Sequence, residues 1–154
     1  MNTLSRKARH ALRALYALTA RADRGPVLIA DLAEQEKLPR KFLEAILLEL
    51  KNAGILQSKK GKGGGYALAR PPEQIKIGDV IRVIDGPLAP IPCVSEKAYV
   101  RCEECPDEGS CGTRLVMKRV RDAIADIVDN TTLRDVEEQV AKARRQAPSV
   151  AYSI

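Results

Sequence analysis

Residues 55–70 read ILQSKKGKGGGYALAR, two short apolar stretches joined by a connection of glycine and lysine. The stretches Ile55–Ser58 and Tyr66–Arg70 have the composition of short strands, and Pro71-Pro72 ends the second. Glycine lets the connection turn sharply and approach a phosphate chain closely, and lysine neutralises phosphate. We therefore predict a β-hairpin with a basic tip suited to nucleic acid; a plain flexible hairpin is the alternative.

Two amphipathic segments precede this hairpin. Ile29–Glu36 is predicted to form a short helix and Arg40–Asn52 a longer one, with Pro39 at its first helical position and Gly54 at its C-terminal cap. Apolar residues recur along both segments at helical spacing. The side chains expected to face inward are Ala30, Leu32, Ala33, Phe42, Leu43, Ile46, Leu47 and Leu50. Two helices joined by a tight turn and followed by a basic hairpin define a winged helix-turn-helix.

Helical periodicity also flanks the winged helix. The first predicted helix covers residues 3–22, and a short one covers Ile77–Ile84. After a long loop rich in proline, glycine and acidic residues, the pattern returns over Thr113–Asp129 and again over Leu133–Arg145. The predicted fold class is therefore mainly α with a small β-hairpin wing, that is, a winged helix-turn-helix plus a long C-terminal dimerisation helix.

Charge is distributed unevenly along the chain. The net charge of the whole chain is +6, but residues 1–70 carry 14 Lys/Arg and 6 Asp/Glu, and the remaining residues carry 12 and 14. A basic half joined to a mildly acidic half is typical of a polyanion-binding module with a second unit, although a solvated basic surface is the alternative. We divide the chain into a DNA-binding domain (1–86), a cysteine-rich sensor loop (87–112) and a C-terminal unit with the dimerisation helix (113–154).

All four cysteines lie within 19 residues, at Cys93, Cys102, Cys105 and Cys111. Thiols grouped this closely form either a disulfide frame or a site for a soft metal. Iron–sulfur clusters are held most simply by four thiolates, and this loop supplies four. Tetrahedral zinc, a cluster-free thiol switch and four unligated thiols are the alternatives. We predict an iron–sulfur cluster, with zinc as the second choice of metal.

The compartment and the class of protein follow from what the sequence lacks. It contains no apolar run long enough to span a membrane. The basic N-terminal segment is no signal peptide either, because Arg9 and Arg13 interrupt the apolar core that a signal peptide needs. We therefore expect a cytoplasmic protein without a membrane segment. In the reducing cytoplasm, clustered thiols favour metal or redox chemistry over disulfides. With a single histidine, no paired carboxylate site and no nucleotide loop, we expect no enzyme.

The predicted helix 113–129 carries an apolar stripe at spacings of three and four residues. It could pack on its own domain or on a second copy of the chain. A long helix outside a compact winged helix has little core of its own to cover, so we predict a homodimer, whose two-fold symmetry matches a palindromic operator in double-stranded DNA. The predicted interface residues are Val116, Val120, Ala123, Ile124 and Ile127.

The winged helix predicts which residues meet DNA. Residues at the start of a recognition helix normally reach base edges, where Arg or Lys pairs with guanine and Glu accepts from cytosine. Lysines of the wing are expected at phosphate or in the minor groove, and cations of the first helix on the backbone. A solvated charge is the alternative for each. The predicted DNA contacts are Arg40, Lys41, Glu44, Lys59, Lys60, Lys62, Gly63, Gly64, Arg6 and Lys7.

These residues resemble the Rrf-two (Rrf2) family of winged-helix regulators, which includes the iron–sulfur cluster, nitric-oxide and cysteine-metabolism repressors of bacteria. The matching pieces are Ala11-Leu12-Arg13-Ala14-Leu15, Phe42-Leu43-Glu44, Ile77-Gly78-Asp79-Val80-Ile81 and, most specifically, the wing Gly61–Arg70. The resemblance covers nearly the whole chain. It implies a homodimeric transcription factor, and many members ligate a [2Fe–2S] or [4Fe–4S] cluster in the cysteine loop.

The spacing Cys105-x5-Cys111 fits the cluster-binding members, whereas Cys102 is additional to their usual three cysteines. In some members a histidine near the last cysteine, or an acidic side chain on the partner's first helix, is the fourth ligand. Here the first helix reads Ala8-Arg9-His10, and His10 is the chain's single histidine.

Together, the residues and the resemblance predict a homodimeric DNA-binding regulator, expected to be a repressor. Its operator affinity would be tuned by an iron–sulfur cluster, or by the redox state of the thiols, in the Cys93–Cys111 loop. The alternative is a cluster-free regulator with structural zinc, or one that responds to a metabolite or a partner protein.

Overall fold

The computed structural model describes residues 4–147 and contains six α-helices and one two-stranded antiparallel sheet within that range. The elements are α1 (Arg6–Thr19), α2 (Ile29–Glu36), α3 (Arg40–Asn52), β1 (Leu56–Lys59), β2 (Gly65–Leu68), α4 (Ile77–Asp85), α5 (Gly112–Asp129) and α6 (Leu133–Gln146). Residues 1–3, which include the predicted start of the first helix, and 148–154, the end of the predicted C-terminal unit, lie outside the described residues. The mainly α winged helix-turn-helix predicted from the sequence is confirmed.

Helix α1 is shorter than predicted. It begins after Ser5, whose hydroxyl accepts a hydrogen bond from the Ala8 N–H at 2.9 Å. It ends at Thr19 instead of residue 22, because residues 22–24 form a separate 3-10 turn that leads into Gly25, where φ is +84°. Its buried stripe is Ala8, Ala11, Leu12, Ala14, Leu15 and Leu18. Small and aliphatic side chains at this spacing let α1 pass through the centre of the molecule, between α4, α3 and α6.

Helices α2 and α3 have the predicted bounds, but three details of the prediction are wrong. Pro39 is the N-cap of α3 and not its first helical residue. Ala30 is exposed, because it lies on the outer side of the short helix α2. Phe42 is 37% exposed, because it sits at the edge of the buried stripe and packs edge-on against the ring of His10 in α1, with 5.4 Å between ring centroids.

The wing pairs in register from Leu56 with Leu68 to Lys59 with Gly65. Both strands therefore differ by one or two residues from the prediction, because the ladder is set by this pairing and not by where the apolar stretches begin. A further backbone pair joins Val27 to Tyr66, with two hydrogen bonds of 2.8 Å. This pair fastens the wing to the segment that enters α2, so the wing and the helix-turn-helix form one body.

Helix α6 returns to the winged helix. It begins with a capping box between Thr132 and Asp135. The backbone N–H of Leu133 donates to the Ile75 carbonyl at 2.9 Å, and Leu133 is fully buried in the same core as α1 and α4. Helix α5, in contrast, runs along the outside, and no side chain of this described helix is buried within the chain.

Candidate DNA-binding surface and cysteine cavity

The N-terminal turns of α3 carry the three residues predicted to meet base edges. Arg40, Lys41 and Glu44 are all exposed. The Arg40 Nε donates to Glu44 Oε1 at 3.2 Å, an ion pair between residues four apart on one helix face. The pair holds the Glu44 carboxylate beside the guanidinium, and at this exposure it is weak enough to open when either group meets a base.

The tip of the wing is a tight turn in which the Gly64 N–H donates to the Gly61 carbonyl at 3.0 Å. The predicted lysines Lys59, Lys60 and Lys62 are exposed around it. Gly64 is buried, and a Cβ added there would overlap the Lys59 carbonyl oxygen. The absence of a side chain at Gly64 is therefore required by the hairpin itself, whereas the neighbouring Gly63, with φ at +73°, lies exposed at the tip.

The two cations predicted on α1 differ in their surroundings. Arg6 is exposed. The Lys7 ammonium lies 2.5 Å from Glu49 Oε2, so Lys7 ties α1 to the recognition helix α3. This ion pair partly neutralises Lys7, so the exposed Arg6 is the better candidate of the two for a phosphate contact.

The four cysteines, scattered over 19 residues of sequence, line one cavity of about 600 Å³ at the start of α5. Cys93 is buried, Cys105 and Cys111 are half-buried, and Cys102 is exposed. All four are free thiols. The remaining lining is partly apolar and includes Ile91, Val100 and Pro106. The loop therefore brings together the four thiols that the sequence singled out.

Helix α5 holds the turn that carries Cys93. The Arg114 Nε donates to the Cys93 carbonyl at 3.3 Å, and the Arg121 guanidinium donates to the Val94 carbonyl at 2.7 Å. The sequence gives no sign of these two arginine contacts, because each joins residues more than twenty positions apart. They make the Cys93 side of the cavity a rigid extension of α5.

The opposite side of the cavity is a loop organised by its own hydrogen bonds. The Asp107 carboxylate accepts from the backbone N–H groups of Gly109 and Ser110, both at 3.1 Å, and from the Ser110 hydroxyl at 2.6 Å. These hydrogen bonds, chiefly the one from the Ser110 hydroxyl, hold the pKa of Asp107 below its usual value. A further bond of 2.5 Å joins the Tyr99 hydroxyl to Glu108.

Cys111 is the N-cap of α5, at the end of the helix where the first backbone N–H groups have no intrahelical partner. Hydrogen bonding from the Arg114 N–H lowers the pKa of Cys111, while partial burial and a hydrogen bond to Cys111 raise the pKa of Cys105. A helix N-terminus stabilises a thiolate, which is the form that ligates metal. The Cys105 thiol donates to the Asp107 carbonyl at 3.3 Å, so Cys111 is the better prepared of the two for ligation.

An iron–sulfur cluster needs several thiolates around one space. Thiolate is the right type of donor, and four thiols open onto one cavity. Over residues 4–147, however, no three His, Cys, Asp or Glu side chains are gathered closely enough to hold a single metal ion. The type of donor therefore fits a cluster, whereas ligation would require the four thiols to move closer together.

His10 lies in the contact between α1 and α3, away from the residues that line the cysteine cavity of its own chain. Its Nδ1 is buried without a hydrogen-bond partner among the described residues. Burial, together with the nearby Arg6, Arg13 and Arg9, lowers the pKa of His10, so the ring is neutral near pH 7.

The predicted interface stripe of α5 faces solvent. Val116, Ile124 and Ile127 are 52%, 39% and 66% exposed, Ala123 is exposed, and Val120 is half-buried. Leu115 is also 50% exposed, but at about 100° per residue it lies outside the stripe, roughly a third of a turn from its centre. Val128, four residues after Ile124, packs against the core of its own chain and marks the inner edge of this surface. No helix of the described part is long and apolar enough to cross a membrane.

A recognition helix with exposed polar residues, a basic wing and a helix outside the core define the class of helix-turn-helix transcriptional regulators. Residues 4–139 match the family model Rrf2, described as iron-dependent transcriptional regulator, and the chain belongs to this family. As a member of a regulator family the protein is not an enzyme, which confirms that prediction.

Relatives and solved structures agree with this assignment. An rrf2-like HTH-type transcriptional regulator of Rhodobacter capsulatus is 40% identical over 136 residues, 86% of this chain and 91% of the relative. The structure of CymR, the global cysteine regulator of Bacillus subtilis, has a TM-score of 0.75 at 32% identity and covers 90% of this chain and 98% of its own. The structure of T. potens IscR has a TM-score of 0.73 at 28% identity, and the match covers 99% of this chain and 97% of the IscR chain.

Proposed function

We propose that this member of the Rrf2 family is a homodimeric cytoplasmic repressor that binds a palindromic operator. In each half-site, Arg40, Lys41 and Glu44 would meet base edges while the wing lysines neutralise phosphate. Two copies would join through the exposed stripe of α5, since an apolar helix face of this length is costly to leave in water. The basic N-terminal half, net +8 over residues 1–70 from 14 cationic and 6 anionic side chains, supports this role.

We further propose that the cysteine cavity holds an iron–sulfur cluster through Cys93, Cys102, Cys105 and Cys111. The observation that carries this proposal is that all four thiols line one cavity at the N-terminus of the proposed dimer helix. Likeness to IscR and the family description as iron-dependent support it. When bound, a cluster supplies a redox-active iron–sulfide core whose stability depends on oxidants.

The chain's own contacts would pass the state of the loop to the DNA-binding surface. Arg114 and Arg121 fix the Cys93 turn to α5, and Arg82 joins α4 to the far end of α5 through Asp129. A loop that closes on its thiols or opens from them would therefore shift α5 against α4. In a dimer this shift changes the spacing of the two recognition helices, so that one arrangement fits the operator and the other does not.

A second candidate is a cluster-free regulator, with structural zinc in the loop or with a metabolite or partner protein as its signal. The absence of a gathered three-donor group over residues 4–147 favours the form of this candidate without zinc. So does the similarity to CymR, which is described as a global cysteine regulator. In this case the thiols would act as a clip or a redox pair, and the effector would bind elsewhere.

The deciding experiment measures iron, acid-labile sulfide and zinc per chain on protein purified without oxygen, with a visible spectrum and operator binding before and after exposure to air. Iron and sulfide in matching amounts, with a change in operator affinity when the visible absorption is lost, are expected. Zinc alone, or no metal with unchanged operator binding, would replace the cluster proposal by the second candidate. A chain that selects no operator from random DNA would contradict both.

A further inference from the structure

The outer face of the recognition helix carries an apolar strip. Helix α3 buries Leu43, Ile46, Leu47 and Leu50, so its opposite face is turned to solvent. At about 100° per residue, Lys41, Ala45 and Leu48 fall within about 60° of one another on that face. All three are exposed, and Leu48 is 53% exposed.

The charges around this strip indicate what covers it. A single exposed leucine on a protein surface needs no explanation. Leu48, however, lies between Lys41 and Lys51 along the helix and one turn beyond Glu44, on the surface that also carries Arg40. An exposed apolar side chain on a helix face with Lys41 at one end and Lys51 at the other is complementary to the floor of a DNA major groove, where apolar groups lie between two rows of phosphates.

We propose that Leu48, assisted by the methyl group of Ala45, contacts the 5-methyl groups of thymines in the major groove and selects thymine at one or two positions of each half-site. Thymine presents the one large apolar group on a major-groove base edge. Lys41 and Leu48 are seven residues apart, about 10.5 Å along the helix, so the two side chains would contact different base pairs. This inference rests on the proposed DNA-binding function.

The test uses the operator that the full-length protein selects from random DNA. Each thymine is then replaced by uracil, which removes the methyl group and keeps every hydrogen-bonding group of the base edge. For the parent protein, binding is expected to weaken about threefold to fivefold at one or two positions per half-site. This factor corresponds to the loss of one buried methyl-sized apolar group. In Leu48→Ala and in Leu48→Gln, the thymine and uracil operators should bind within about 1.5-fold of each other at those positions, whereas Leu48→Met should keep the discrimination.

Leu28 provides a matched control, because it has the same 53% exposure but is the N-cap of α2 and lies off the recognition helix. Leu28→Ala should keep the full uracil effect. The inference is overturned if uracil operators bind the parent protein equally well, if the effect survives in both Leu48→Ala and Leu48→Gln, or if Leu48→Ala changes the oligomeric state and not DNA binding. Failure to select any operator would overturn the proposed function together with this inference.

Discussion

Arg82 in α4 and Asp129 at the end of α5 form a bidentate ion pair, with both nitrogen–oxygen distances at 2.7 Å. The two residues are 47 positions apart, and their side chains are 25% and 32% exposed. Gly78 lies directly beneath them, since a Cβ added there would overlap Asp129 Oδ1. The winged helix and the proposed dimer helix are thus joined by this ion pair, and the absence of a side chain at Gly78 leaves room for it.

Gly78→Ala should destabilise the protein, although alanine is normally the better helix former by up to about 1 kcal/mol. The added methyl displaces the Asp129 carboxylate from Arg82, at a net cost of about 1–2 kcal/mol. Urea unfolding of Gly78→Ala measures this cost. In an Asp129→Ala background the same substitution should be neutral or stabilising; an equal cost in both backgrounds would contradict the described geometry.

The same ion pair predicts how stability depends on pH. Hydrogen bonding to Arg82 holds the pKa of Asp129 below its usual value in the folded state. A depressed folded pKa contributes stability that is present above the unfolded value of about 4 and is lost as the pH falls through the folded value. Asp129→Asn should therefore cost about 1–2 kcal/mol at pH 7 and markedly less at pH 3, measured by urea unfolding. A pH-independent difference would exclude this linkage.

Ile124→Glu and Ile127→Glu should convert the proposed dimer into monomers that still fold, because neither residue is buried within its own chain. Analytical ultracentrifugation gives the mass, and far-UV circular dichroism checks the fold. Val140→Glu is the matched control, since Val140 on α6 is 41% exposed, close to the 39% of Ile124, but lies off the α5 stripe. Unchanged dimers in both α5 variants would place the interface elsewhere.

Lys60→Ala and Lys62→Ala should each weaken operator binding by a similar factor on all sequences. If each lysine neutralises one phosphate, the slope of log K against log salt should become shallower by about 0.9 per variant. Lys142→Ala, an exposed lysine on α6, should leave the slope as it is. Loss of sequence preference, in place of a changed salt slope, would assign the wing to base reading.

Substitutions of the four cysteines should change the free energy of unfolding by different amounts but should all lower the iron and sulfide content. Each Cys→Ala variant is expected to lose most of the iron and sulfide, because a cluster needs all of its proposed thiolates. Cys93→Ala should also lower the free energy of unfolding by about 1 kcal/mol because Cys93 is buried, whereas Cys102→Ala should not because Cys102 is exposed. Full cluster content in Cys102→Ala would show that three of these thiols suffice.

Much of the fold could be predicted from local patterns. The periodicity of apolar residues placed both ends of α2 and α3 correctly, since local periodicity and capping suffice for short amphipathic helices. The glycine–lysine connection located the wing, but not its register, which depends on the pairing of Leu56 with Leu68. Phe42 was misplaced in the core because its partner, the His10 ring, is 32 positions away, from residue 10 to residue 42.

The candidate site was predictable in its residue types and not in its arrangement. The spacing of the cysteines could suggest a shared site, but not that Arg114 and Arg121 hold the Cys93 turn. Nor could it show that Cys111 caps α5. Such contacts join residues far apart in the chain, and the role of Gly78 beneath Asp129 is of the same kind. Non-local contacts of this type are decided by packing and leave no periodic signal.

The return of α6 to the core has a consequence for synthesis on the ribosome. The carbonyl of Ile75 accepts from Leu133, and the N–H of Ile77 donates to Thr131, both at 2.9 Å. A nascent chain therefore cannot complete the DNA-reading head until residues beyond 133 have left the exit tunnel. By then all of α5 has emerged, so the proposed dimer helix would be free to pair no later than the DNA-binding core of its own chain is complete.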